Sequence, residues 1–200
     1  MGILDDMKLI KAIVPLADGV EEIEAVTIVD VLRRAGVEVE TAALDEDSLD
    51  IEGAHGIGLV ADATLDECDA ATADAIILPG GMKGMLAFKA DERIRSIIKD
   101  FNAKGKLVAA LCAAPIVLAD VGILKGRKAV CFPSERGDLV SGGAVYQEGA
   151  GAVRDGNIIT GSGAGTAMEF ALKVVEALTS ADAANSLAEK MLFKRAMSME

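Results

Sequence analysis

Two hundred residues, 52% of them apolar and without a break in composition, are enough to bury one sizeable core. A formal net charge of −12 argues against nucleic acid or an anionic membrane as partner, because both require clustered Lys and Arg. No apolar run reaches membrane-spanning length and the first residues lack a signal-peptide pattern, so a cytoplasmic location is expected. Three scattered cysteines form neither a disulfide framework nor a CxxC metal pair, and His55, the single histidine, cannot build a metal site alone. With no Trp and one Tyr, the core has to be packed from Ala, Val, Ile and Leu, as in helices covering a buried parallel sheet.

In chain order, KLIKAIVPL predicts a buried strand. GVEEIEAVTIVDVLRRAGVEVETAAL then predicts an amphipathic helix, a stop at Gly36 and a second strand. The scattered glycines of DEDSLDIEGAHGIGLVADATLDEC suggest a short hairpin. ADAIILPGG reads as a buried strand ending in a glycine pair, DERIRSIIKDFNAKGK as a helix, and LVAALC as a strand ending at a thiol, with a helix starting near Ala113. KAVCF is expected to be another strand, AVYQEG and NIITGSG strands flanking a turn at AVRDG, and GTAMEFALKVVEAL and SADAANSLAEKMLFKR the final helices. The sum is a doubly wound, flavodoxin-like three-layer α/β/α sandwich with a mostly parallel sheet, its ligand crevice at the carboxyl ends of the strands. One domain is expected over residues 7–195, with 1–6 and 196–200 as flexible tails.

Cys112 is the residue that carries chemistry. A buried strand that ends at a thiol and turns at once into a helix is a nucleophile elbow, and the unpaired N–H groups and dipole of the helix start favour a thiolate. A small core hydrophobe is the other reading of a free cysteine, and the local pattern alone does not choose between them. In a parallel sheet, three successive loops bring Glu21, Glu22 and Glu24, the Gly80–Gly81 pair and Cys112 to one edge. Gly81 has no side chain, so its N–H could approach a ligand and join that of Ala113 in an oxyanion hole. A carboxylate beside the thiol opposes the thiolate when ionised, but when protonated it can donate to sulfur and shuttle protons. For Glu21 and Glu22 a favourable acidic first turn is explanation enough. Cys131 is expected buried near the crevice and Cys68, in polar LDECDA, exposed; Met82 and Met85 line a pocket or fill the core.

DGVEEIEAVTIVDVLRRAG, ILPGG, ALCAAPIVLADVGILKG and TGSGAGTAMEFALKVVEAL, in this order and spacing, resemble the ThiJ/PfpI superfamily. The likeness is greatest to the branch of the Parkinsonism-associated protein deglycase and its bacterial relatives, and runs from about Lys8 to about Lys194. It implies that Cys112 is a nucleophilic, oxidation-prone thiol and Glu24 an acid whose proton faces the sulfur. Gly81 and Ala113 become oxyanion donors, with Gly80 and Phe132 beside the substrate. It further implies a two-fold homodimer through the first helix, with Arg34 at the interface and Asp30 near the active site.

Departures from the family pattern narrow the chemistry. Phe132 stands where many relatives carry histidine, and His55 lies where relatives often have an arginine near the dimer interface. Ser162 and Ala164 replace an Arg and a Pro common in the branch, which weakens anion binding there. A protease-type Cys–His–acid triad is therefore not supported, and protons have to move through Glu24 or water. The implied function is a cofactor-independent, metal-free glyoxalase III-like or deglycase-type enzyme, acting on methylglyoxal, glyoxal or their early protein adducts. The alternatives are an oxidative-stress sensor using oxidation of Cys112 and a chaperone using the dimer surface.

Overall fold

A computed structural model describes residues 9–194; the tails expected at 1–6 and 196–200 lie outside the described residues. Strand β1, Lys11–Leu16, is buried at its last five positions, as befits a strand covered on both faces. Glu21 caps helix α1, Glu22–Arg34, by accepting the Glu24 N–H at 2.8 Å. The helix buries Ala25, Ile28, Val31 and Leu32 along one stripe, each large aliphatic contributing about 1.5–3 kcal/mol. Gly36, at φ 81°, ends the turn and leads into β2, Glu38–Ala43.

The expected hairpin is present: β3, Asp50–Glu52, pairs antiparallel with β4, Gly58–Val60, as a separate two-stranded sheet. Strand β5, Ala63–Thr64, returns to the main sheet, and β6, Ala75–Leu78, is wholly buried. Helices α2, Met82–Ala90, and α3, Glu92–Ala103, follow, the second capped by the Asp91 carboxylate accepting from the Arg93 and Ile94 N–H groups. Strand β7, Leu107–Leu111, ends at Cys112, and α4 spans Pro115–Asp120. The remaining elements are β8 (Lys128–Ala129), α5 (Arg136–Ser141), β9 (Val145–Tyr146), β10 (Ala152–Asp155), β11 (Ile158–Gly161), α6 (Ala167–Leu178) and α7 (Ala181–Lys190).

The main sheet has the order β10-β11-β7-β6-β1-β2-β5 and is parallel except for β10. Helix α1 packs on α6 and α6 on α7, while α2 packs on α3 and α4. This is a flavodoxin-like α/β fold. Chain direction along the sheet reverses between β1 and β6, so the loops after β1 and β6 open a crevice at their carboxyl ends, next to the end of β7. No helix among the described residues is long and apolar enough to cross a membrane.

Four expectations need correction. KAVCF supplies only the two residues of β8, which pair with β9 outside the main sheet. The backbone just beyond it is committed elsewhere: the Val130 N–H donates to Thr160 Oγ1 at 2.9 Å and the Phe132 N–H to the Cys112 carbonyl at 2.7 Å. AVRDG is not a turn but strand β10, which pairs with β11 around Gly156 at φ 63°. Helix α2 escapes the sequence reading because it buries only Gly84, Met85 and Phe88; a Cβ at Gly84 would lie 2.7 Å from the Val20 side chain. Finally, the helix after Cys112 starts at Pro115 rather than near Ala113.

Candidate active site

Cys112 occupies the left-handed region at φ 63°, unusual for a side chain bearing a Cβ. Such a conformation costs on the order of 1–3 kcal/mol and persists only where its surroundings hold it. Here the Cys112 N–H donates to the Gly161 carbonyl at 2.9 Å, and the Cys112 carbonyl accepts the Phe132 N–H at 2.7 Å. The thiol is half-buried, and the backbone N–H groups of Gly81 and Ala113 lie beside its sulfur and favour its ionised form.

The glycine pair is required by space as well as by conformation. A Cβ at Gly80 would lie 2.5 Å from Cys112 Cβ and 2.5 Å from Glu24 Oε2. Gly81 has φ 96°, and a Cβ there would strike the Gly19 carbonyl oxygen. The two glycines thus let the loop after β6 pass between the thiol and the first turn of α1.

Glu24 is fully buried, its Oε2 accepting the Gly80 N–H at 2.8 Å. Its Oε1 has no well-aligned hydrogen-bond partner among the described residues, although the carboxyl and the Cys112 thiol interact directly. Burial pushes the Glu24 acid up to about 7, against the pull of the adjacent Cys112 thiol and of the Gly80 N–H and with a further push from the Glu21 charge. Burial also pushes the Cys112 thiol up to about 12, reinforced by a negative charge on Glu24 and opposed by the Gly81 and Ala113 N–H groups.

Two negative charges are not accommodated side by side in this desolvated space, so the pair ionises in separate steps, Glu24 giving up its proton near 7 while Cys112 holds its own up to about 12. The thiolate is favoured only when a proton rests on Glu24. The expected help from a helix dipole is therefore corrected: α4 has only six residues, and the two N–H groups are the local stabilisers.

Other candidates fall elsewhere. Glu22 is buried and does more than decorate a helix start: Oε1 accepts the His55 N–H at 2.6 Å and the Ile57 N–H at 3.3 Å, while Oε2 meets His55 Nδ1 at 2.9 Å. Burial opposes its ionisation, but these bonds outweigh it and hold the acid down to about 2. His55 is raised by its hydrogen bond to Glu22. The sequence reading missed this clasp, whose only signal was two adjacent acids and a lone histidine in a glycine-rich hairpin.

Asp30 is engaged within its own helix. It pairs with Arg34 at 2.8 Å and lines a cavity of about 270 Å³ with Arg33, Thr41 and Asp62. Cys131 is fully buried, and burial pushes its thiol up to about 12. Cys68 is half-buried rather than exposed; its Sγ donates to the Thr64 carbonyl at 3.4 Å, and burial pushes it up to about 12. Met85 is core, whereas Met82, directly after Gly81, is 48% exposed. Ser162 Oγ lies 3.1 Å from Thr166 Oγ1. Phe132 is 46% exposed, its ring edge against Gly163, where a Cβ would lie 3.4 Å from Cδ2.

Residues 10–177 match the DJ-1/PfpI family model. Protein DJ-1 homolog B of Arabidopsis thaliana is 42% identical over 82% of this chain, which spans only 37% of that protein's length. A Caenorhabditis elegans protein named Glutathione-independent glyoxalase DJR-1.2 is 35% identical over 84% of this chain and 87% of its own length. The crystal structure of Drosophila melanogaster DJ-1beta superposes with a TM-score of 0.89 at 34% identity, covering 94% of this chain and all of that one. On the extent of this match, the elbow thiol, the glycine pair and the buried acid stand in a chain that belongs to the DJ-1/PfpI family.

Proposed function

We propose that this protein is a cysteine-dependent, cofactor-independent enzyme of the glyoxalase or deglycase kind, acting on methylglyoxal, glyoxal or their early protein adducts. One observation carries the reading: a buried acid pushed up to about 7 lies against an elbow thiol that also has the Gly81 and Ala113 N–H groups beside it. An acid with that value can both give and take a proton near neutrality. The name of the C. elegans relative supports the same kind of activity.

In the proposed sequence, the Cys112 proton moves to ionised Glu24 and the thiolate adds to the aldehyde carbon. The C–S bond forms as the carbonyl electron pair moves to oxygen, beside the N–H groups of Gly81 and Ala113. Glu24 returns its proton to that oxygen, then removes the hydrogen of the same carbon as a proton and delivers it to the neighbouring carbon, while the hydroxyl proton on the first carbon passes to the former ketone oxygen. Oxidation of the first carbon is balanced by reduction of the second, leaving a 2-hydroxy thioester. Water breaks the C–S bond, releasing the 2-hydroxy acid and restoring the thiol. Purified protein should convert methylglyoxal to lactate, and Cys112→Ser should abolish the conversion; unchanged methylglyoxal would end this reading.

A second reading is an oxidative-stress sensor, in which Cys112 takes up two oxygens from peroxide as a sulfinic acid. It draws support from the unpartnered Glu24 Oε1, which when protonated could donate to a sulfinate. Mass spectrometry after mild peroxide should find that gain on Cys112 before Cys68 or Cys131, and indiscriminate oxidation would remove this support.

A homodimer and a cytoplasmic location belong to the same proposal. Ile23 and Val26 on α1, with Ile57 and Val60 on the hairpin, are more than half exposed large apolar side chains. Sedimentation of Val26→Glu as a monomer against a wild-type dimer tests the contact.

A further inference from the structure

Phe132 is an aromatic ring on a fixed mount. Its N–H is bonded at 2.7 Å to the carbonyl of the nucleophile itself, and its ring edge lies along Gly163, two residues past the Gly161 carbonyl that holds the Cys112 N–H. Nearly half of the side chain is nevertheless open to solvent, whereas Phe88, Phe101 and Phe170 are fully buried. Met82, 48% exposed, follows Gly81, whose N–H lies beside the sulfur. Two large apolar side chains therefore adjoin the residues that frame the thiol. The loop against the ring runs Gly161, Ser162, Gly163, Ala164, Gly165, and Gly163 presents no side chain to it.

We infer that Phe132, aided by Met82, forms an apolar subsite that selects α-oxoaldehydes with an aryl tail over methylglyoxal. This rests on the glyoxalase reading of Cys112 and names the substrate class of that same site. The aldehyde carbon is held at the sulfur, and the group beyond the ketone reaches the ring, where an aromatic tail gains offset or edge-to-face contact that a methyl group cannot make. The reaction keeps the same balance: phenylglyoxal plus water gives mandelic acid, with the thiol regenerated.

The test measures kcat/KM of the full chain for phenylglyoxal and methylglyoxal in wild type, Phe132→Ala, Phe132→Tyr and Met82→Ala, with thermal melts confirming that each variant is folded. The phenylglyoxal-to-methylglyoxal ratio should fall about tenfold in Phe132→Ala, mainly through KM, and about threefold in Met82→Ala, but stay within twofold of wild type in Phe132→Tyr. Turnover of methylglyoxal with a ratio unmoved by Phe132→Ala overturns this inference and leaves the glyoxalase reading standing. A ratio that falls equally in Phe132→Tyr also overturns it, since the ring would then not be the selecting group. Failure of wild type to consume either aldehyde overturns both.

Discussion

The Gly80 N–H donates to Glu24 Oε2 at 2.8 Å, and the Cβ that Gly80 lacks would lie 2.5 Å from that same oxygen. Gly80 therefore serves Glu24 through its backbone and admits it by having no side chain. Gly80→Ala should force the acid and the thiol apart, destabilising the fold by about 1–3 kcal/mol and lowering kcat/KM for methylglyoxal roughly a hundredfold. Urea denaturation and steady-state kinetics on one preparation check both; an alanine variant with wild-type turnover would mean that the contact is slack.

Glu24 makes stability depend on pH in a stated direction. Its acid is raised from 4.5 in the open chain to about 7 in the fold, so between these values the folded state binds more protons than the unfolded one. The contribution is fully present below pH 4.5 and is lost as pH rises through about 7. The span corresponds to a loss on the order of 3 kcal/mol. Glu24→Gln cannot ionise and should flatten this part of the profile. Denaturation midpoints at pH 5 and pH 8 for both proteins decide the matter, equal slopes counting against it.

The His55–Glu22 clasp has two edges. Glu22, held down to about 2, contributes above its open-chain value and is lost as pH falls through about 2. His55, raised by Glu22, contributes below 6.5, and that part is lost as pH rises through its higher folded value. Glu22→Gln should bring the His55 midpoint back towards the open-chain range and speed amide exchange at His55 and Ile57 roughly tenfold. NMR titration and hydrogen exchange read these effects, and an unmoved His55 midpoint would refute them.

The sequence revealed elements with strong period or clear stops: β1, α1, β6, α3, β7 and α6 carry long apolar patterns, and Gly36 marks a turn at φ 81°. Short segments, whose structure depends on distant partners, were read less well. The KAVCF run looks like a strand, yet the Val130 and Phe132 amides bond to Thr160 and Cys112 instead of extending a ladder. At the site, Cys112, Glu24, Gly80 and Gly81 could be brought together from loop order alone, because a parallel sheet delivers its loops to one edge. The Glu22–His55 bonds span 33 residues, and no local pattern encodes them. The Asp30 carboxylate pairs with Arg34 one helical turn away, a contact the i,i+4 spacing makes available.

The elbow at Cys112 is held from downstream: its N–H is fixed by Gly161 and its carbonyl by Phe132. A growing chain that has not yet reached those residues cannot hold the thiol at φ 63°, and carries an ordinary cysteine. The elbow is thus completed late in synthesis, only after β11 has docked beside β7. Its geometry at Cys112 therefore reports that this part of the sheet has closed.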